Sequence, residues 1–292
     1  MSKRRPKSIA TINFKGGVGK TTVTWCLGDV LSTESKHQIL TFDLDAQMSL
    51  TQAIALNEDT GGLHERFDKW YHSSVKRKKT IFDAIDAFTK GGVFNFPVGL
   101  DFIYQIENRF HFVPSVEDLY WLELELFDRD MMKDFMAEML YKIEDSDKVP
   151  KYDYVLFDCP PSFTLLSYSV LRCCDLILIP VNPDFFASRG VSLILNSLKM
   201  RIDPDPIPRI GVFMNKAKTW ANEPTKEVRF YMREVERVCN EVAAEQEVNA
   251  KFFKSYIRER VGIKRAITGG GVPAEMVDDF KRLWVECVDY LK

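Results

Sequence analysis

Ile9-Ala10-Thr11-Ile12-Asn13-Phe14-Lys15-Gly16-Gly17-Val18-Gly19-Lys20-Thr21-Thr22 is the stretch on which the fold turns. Its opening residues are mostly apolar or β-branched, and the run is too short for a helix, so Ile9–Asn13 reads as a buried strand. Gly16, Gly17 and Gly19 then let the backbone curl, and an amphipathic run from Lys20 to Leu31 reads as a helix. A glycine-rich loop between a strand and a helix N-terminus turns successive N–H groups, and the positive end of the helix dipole, toward one point. That geometry cradles phosphate. The side chains fit the same chemistry: Lys20 to bridge β- and γ-phosphates, Thr21 to offer its hydroxyl to Mg²⁺, Thr22 to reach the α-phosphate. Gly16, Gly17, Val18, Gly19 and Lys20 form the cradle, so ATP and Mg²⁺ are the expected cofactors.

Outward from this loop, short apolar runs recur at Ile39–Asp43, Phe110–Pro114, Tyr154–Asp158, Leu176–Pro180 and Ile210–Asn215. Near-continuous apolarity suits strands covered on both faces. Helical patterns lie between them, at Val116–Ile143, Leu165–Arg172, Val191–Met200 and Thr225–Gln246, and Pro273–Leu291 closes the chain with apolar residues at helical spacing. Alternating strand and helix predicts an α/β fold: a single P-loop domain, its sheet largely parallel and twisted, with helices on both faces. The segment at about 57–150 is enlarged and irregular, with a basic run Lys76-Arg77-Lys78-Lys79 expected in a solvated loop and a possible hairpin across Leu100–Pro114.

Two further strand ends carry acids. Asp43 and Asp45 stand at i and i+2, which places both carboxylates on one side of the strand end. At the carboxyl edge of a parallel sheet one can assist Mg²⁺ while the other orients or activates the attacking water. Tyr154-Val155-Leu156-Phe157-Asp158 is an apolar strand ending in an acid, the arrangement in which Asp158 holds Mg²⁺. The Pro160-Pro161 pair after it stiffens a loop placed to sense the γ-phosphate. Asn215, at the end of another strand, is a candidate for reading the edge of adenine.

The loop departs from the general G-x-x-x-x-G-K-[ST] pattern, because Phe14 stands at its first glycine and Lys15 follows. KGGVGKTT resembles the deviant Walker loop of the ParA/MinD family of ATPases, most closely its ParA-like partition and positioning members. Asp43-Leu44-Asp45-Ala46-Gln47 is similar to that family's D-x-D-P-Q segment, with Ala46 in place of the proline, and Asp158-Cys159-Pro160-Pro161 to its D-x-P-P. The resemblance implies that Lys15 reaches across a dimer to the partner's nucleotide and that Asp45 carries the hydrolytic role, with Asp43 on the metal side. It implies a homodimer formed on ATP, non-specific DNA binding, and a ParB-like or adaptor protein that stimulates hydrolysis. It covers residues 8–56, about 110–115 and 152–216 well, and leaves the enlarged segment without a counterpart.

Composition fits that picture. Apolar residues make up 46% and charged residues 28% of the 292-residue chain, the balance of a soluble globular protein. No apolar run is long enough to span a bilayer, and the last helix has a mixed polar face unlike a basic membrane anchor, so no membrane role is expected. A cytoplasmic protein, associated with the nucleoid in its ATP state, is the expectation. The six cysteines show no metal-ligand spacing and read as reduced thiols. Net charge is −2, yet residues 251–265 carry six basic side chains against the single Glu259. Arg258, Arg260, Lys264 and Arg265 are the candidate DNA contacts. An ATP-dependent biosynthetic ligase of the same fold, whose second pocket could lie in the enlarged segment, is the alternative from another class; a MinD-like regulator is the alternative within the family.

Overall fold

The computed structural model describes residues 5–55, 63–91, 102–122, 129–202, 207–260, 262 and 271–292. Its strands are β1 (Lys7–Thr11), β2 (Ile39–Asp43), β3 (Tyr104–Glu107), β4 (Phe110–Val113), β5 (Tyr154–Asp158), β6 (Leu176–Val181), β7 (Arg209–Ala217), the two-residue β8 (Thr219–Trp220) and β9 (Glu223–Pro224), and β10 (Ala250–Arg258). Eight of them form one sheet in the order β10-β7-β6-β1-β5-β2-β4-β3, in which β3 alone runs antiparallel. β8 and β9 make a separate small hairpin.

The helices are α1 (Lys20–Thr33), α2 (Ser49–Ala55), α3 (Leu63–Lys76), α4 (Ile81–Gly91), α5 (Arg129–Met132), α6 (Phe135–Asp145), α7 (Leu165–Cys173), α8 (Ala187–Arg201), α9 (Lys226–Gln246) and α10 (Ala274–Leu291). Alternation along the strands decides which face each helix covers. Ile9 and Ile39 point into a cluster built with Val23 and Leu27 of α1 and Phe280 and Leu283 of α10. Their chain neighbours Ala10 and Leu40 point into the opposite cluster, with Ile85 of α4, Met139 of α6, Val170 of α7, Leu195 of α8 and Val235 of α9. Both faces of the sheet are therefore buried, which explains why the strands read as continuous apolar runs.

The sheet order places the site. From β1 the chain moves to β2 on one side, with β5 between them, and later to β6 and β7 on the other side. The connections thus diverge next to β1, and in open parallel sheets the crevice at the carboxyl end of such a switch point takes the ligand. The register aligns Thr11 with Asp158 and Asp158 with Asp43, so the strand ends bring these residues side by side.

Several expectations needed correction. Val116–Ile143 is not one helix: a 3₁₀ turn at Glu117–Tyr120 is followed by α5 and α6, with 123–128 outside the described residues. β10 has no counterpart in the sequence reading, because the exposed Lys251 and Lys254 flank the buried Phe252 and Phe253 and leave neither an apolar run nor a two-residue alternation to mark a strand. The enlarged segment is more regular than it reads, since α3 and α4 lie within it. The hairpin across 100–114 forms as β3–β4. Lys76 ends α3, and the exposed Arg77 and Lys78 follow it in a turn. All six cysteines are free thiols.

Candidate functional site

Between β1 and α1 the chain makes two left-handed steps, at Gly17 (φ 73°) and Gly19 (φ 92°). Glycine is required at the second on two counts: its φ disfavours any side chain, and a Cβ there would meet Asn215 Nδ2 at 2.6 Å. Side chains from the β6–β7 side brace the loop. Asn13 Nδ2 donates to Pro180 O at 2.8 Å while its Oδ1 accepts Lys15 N–H at 2.8 Å. Asn215, nearly fully buried, donates to Val18 O at 2.7 Å, and Lys216, itself left-handed, donates to Gly17 O at 2.6 Å. Asn215 is therefore engaged with the loop backbone through its amide nitrogen. On the other flank Phe14, which replaces a glycine of the general pattern, packs in a tilted arrangement, ring centroids 5.0 Å apart, against Phe163 just past the Pro160-Pro161 turn.

Lys20 sits 8% exposed at the base of the loop, its ammonium donating to Asn13 O at 3.1 Å. Burial lowers its pKa, and the charges of Asp158 and Asp45 pull it back up. Thr21 and Thr22 follow in the first turn of α1. Beside Lys20, Asp158 is fully buried with neither carboxylate oxygen hydrogen-bonded. Burial pushes its pKa well above the usual carboxylate range and neighbouring Asp43 adds to this, while the nearby Thr21 hydroxyl and Lys20 oppose it. A buried carboxylate left without partners costs stability and marks a place where a cation belongs.

The other two acids differ in circumstance. Asp43 is buried but satisfied: its Oδ2 accepts from Thr51 N–H (2.9 Å) and Thr51 Oγ1 (2.8 Å), and its Oδ1 from Asp45 N–H at 3.2 Å. Desolvation still raises its pKa to about 6, against those hydrogen bonds. Asp45 is half-buried, with one oxygen accepting Gln47 N–H at 2.9 Å. It opens on a cavity of about 390 Å³ lined by Gln47, Leu119, Tyr120, Pro160, Pro161 and Leu166.

Lys15 lies across the top of the loop. Its ammonium pairs with Asp184 Oδ2 at 2.6 Å and stands 5.8 Å over the Phe186 ring, just before α8. The pair is exposed enough that its intrinsic worth is about 0–1 kcal/mol. Phe185 and Phe186 are themselves largely solvent-exposed.

The basic candidates scatter. Arg258 is turned inward: its Nε donates to the buried Asp279 at 2.9 Å, and its guanidinium also reaches Glu275 O. Arg260 is half-buried, with an Nε that makes no hydrogen bond. Lys264 and Arg265 lie outside the described residues. No described helix is long and apolar enough to cross a membrane.

Sequence reading missed the braces. Lys216 stands next to Asn215, and Asn13 next to the loop, yet neither residue type signals a tie to a backbone carbonyl 167 or 199 residues away. Asp184 had a faint signal, as an acid just after a strand end, and Thr51, which holds Asp43, had none.

A strand–loop–helix cradle, a buried lysine beneath it and an orphaned carboxylate at the neighbouring strand end define the class: a P-loop nucleotide-binding α/β protein. Residues 6–204 match the AAA_31 family, described as an AAA domain. With that match over more than half its length, the chain belongs to the ParA/MinD family of P-loop ATPases. An uncharacterised protein of Mycobacterium tuberculosis is 31% identical over 68% of this chain, which spans 54% of that relative's length. The chromosome partitioning protein ParA of Myxococcus xanthus is 26% identical over 77% of this chain and 71% of its own. Among solved structures, the McdA–ATP complex of Cyanothece has a TM-score of 0.69 at 19% identity, covering 98% of this chain and 96% of that one. Cobyrinic acid a,c-diamide synthase of Mycobacterium smegmatis, with ADP and magnesium, has a TM-score of 0.63 at 21% identity, covering 97% and 94%. At such identities these two likenesses establish the fold alone.

Proposed function

We propose that this chain binds ATP with Mg²⁺, dimerises on it, binds DNA non-specifically in that state, and hydrolyses ATP under control of a partner to partition or position DNA or another cargo. The observation that carries the nucleotide chemistry is buried Lys20 standing within electrostatic reach of Asp158, whose buried carboxylate oxygens have no well-formed hydrogen bond, beneath the glycine loop. The residues fit the cofactors. Lys20 and the loop amides would hold the β- and γ-phosphates, and Thr21 and Asp158 would hold Mg²⁺, which supplies charge neutralisation between phosphate oxygens.

Asp45 would orient the attacking water, since it is the one acid of the three with access to open space. Asp43 would stand on the metal side, its Oδ2 taken up by Thr51 and its Oδ1, which accepts only the Asp45 amide, keeping a lone pair. Asn215 holds the loop in shape, and its carbonyl oxygen and second amide proton are what it would have left for the edge of adenine. Lys15 would exchange Asp184 for the phosphates of a second copy's nucleotide. Partition is the reading suggested by the relatives named for that role. DNA contact falls to Arg260, Lys264, Arg265 and the exposed Lys251 and Lys254, because Arg258 is tied to Asp279.

A second reading, an ATP-dependent ligase, is favoured by the cavity beside Asp45, where a second substrate could meet the γ-phosphate. One assay separates the two: binding of random duplex DNA with ATP, ADP or no nucleotide. Partition calls for binding with ATP alone that weakens steeply with salt. Absence of binding in all three states would overturn it.

A further inference from the structure

Asp45 is aimed by its backbone, and that backbone is held from outside its own loop. Its carbonyl oxygen accepts the Ser115 hydroxyl at 2.8 Å, and also the Met48 N–H at 2.8 Å. Ser115 is fully buried in the turn that follows β4, and its own N–H donates to Thr51 Oγ1 at 2.9 Å. The Thr51 hydroxyl, thus fixed as an acceptor, has one proton left and gives it to Asp43 Oδ2 at 2.8 Å. Asp43 Oδ1 then accepts Asp45 N–H, which closes a ring of hydrogen bonds that begins and ends on the Asp45 peptide groups. From α3, in the enlarged segment, Tyr71 reaches Ser115 O with a long 3.4 Å contact.

We propose that Ser115 and Thr51 are positioning residues for Asp45: a buried hydroxyl ring that sets the direction of its carboxylate and so the rate of ATP hydrolysis. This rests on the reading of Asp45 as the residue that orients water. The ring acts through geometry. The Thr51 hydroxyl both accepts and donates, so it cannot rotate without losing a bond, and the Ser115 hydroxyl spends its one proton on Asp45 O while the Ser115 N–H ties the same residue to Thr51. A displacement of about 1 Å at a group that aligns a nucleophile costs on the order of 100-fold in rate. A purely structural role, satisfying buried amides at the start of α2, would instead lower stability and leave turnover per folded molecule unchanged.

The test compares the full chain with Ser115→Ala, Thr51→Val, Thr51→Ser and Asp45→Ala, measuring ATP affinity by equilibrium titration and turnover under saturating Mg²⁺–ATP. Expected is ATP affinity within about threefold of the unmodified chain for Ser115→Ala and Thr51→Val, with turnover down about 10- to 100-fold. Thr51→Ser, which keeps the hydroxyl, should restore most of that loss. Ser115→Ala removes one oxygen and creates little strain, so it keeps the test decisive if Thr51→Val folds poorly. Wild-type turnover in Ser115→Ala would overturn the ring while an inactive Asp45→Ala left the Asp45 reading standing. Wild-type turnover in Asp45→Ala would overturn both. Equal damage in Thr51→Ser and Thr51→Val would also contradict the proposal.

Discussion

The two flanks of the phosphate loop are built on opposite principles. Toward β6 and β7 the polar side chains named above are paired: Asn13 with Pro180, Asn215 with Val18, Lys216 with Gly17. Toward β5 and β2 three carboxylates crowd together, and the buried oxygens of Asp158 have no well-formed hydrogen bond, with only the nearby Thr21 hydroxyl and Lys20 to favour its charge. One flank spends its hydrogen bonds on shape. The other stores unsatisfied charge where a cation and a reacting phosphate would meet it, at a cost to the empty protein of the kind that functional sites carry. Damage to the braced flank should therefore lower stability and affinity together, while damage to the acid flank should separate them.

The largest break is at the joint between the flanks. Lys20→Ala should weaken ATP binding at least about 100-fold, the loss of a desolvated charged contact of about 3 kcal/mol or more, read by equilibrium titration. Gly19→Ala comes next. It forces a side chain into a φ of 92° and against Asn215, so thermal unfolding should show a loss of about 2–3 kcal/mol along with weakened ATP binding. On the acid flank the sign reverses. Asp158→Asn removes a buried carboxyl that the fold can keep only by desolvating its charge or by taking up a proton, so the nucleotide-free protein should gain about 1–3 kcal/mol at neutral pH. The gain is itself pH-dependent. The raised pKa of Asp158 means that the folded state holds a proton the unfolded chain has lost, so stability falls as pH rises from the ordinary carboxylate pKa through the folded value. Unfolding midpoints across pH 4–8 should thus decline more steeply for the unmodified chain than for Asp158→Asn. The smallest effect on the fold is at Lys15→Ala, which should shift the unfolding midpoint by at most about 1 kcal/mol while ATP-dependent dimerisation, read by light scattering, is impaired.

The same contrast explains what the sequence could reveal. The loop, the strand-end acids and the order of strands and helices are local patterns, legible because glycine spacing, carboxylate spacing and apolar periodicity each have one strong physical cause. The braces and the hydroxyl ring are not local. Nothing about Thr51 or Ser115 distinguishes them from any threonine or serine until β2 and β4 are seen side by side. β10 escaped for a different reason: exposed lysines on either side of a buried phenylalanine pair made the strand look like a basic surface segment, and the same charge made Arg258 look available when Asp279 already holds it.

The central claim, that Lys20 and Asp158 together form the Mg²⁺–ATP site, is tested most directly by calorimetric titration of ATP with and without Mg²⁺, on the unmodified chain and on Asp158→Asn. Expected is ATP binding that strengthens with Mg²⁺ in the unmodified chain, and binding indifferent to Mg²⁺ in Asp158→Asn. No ATP binding by the unmodified chain, or the same Mg²⁺ dependence in both, would contradict it.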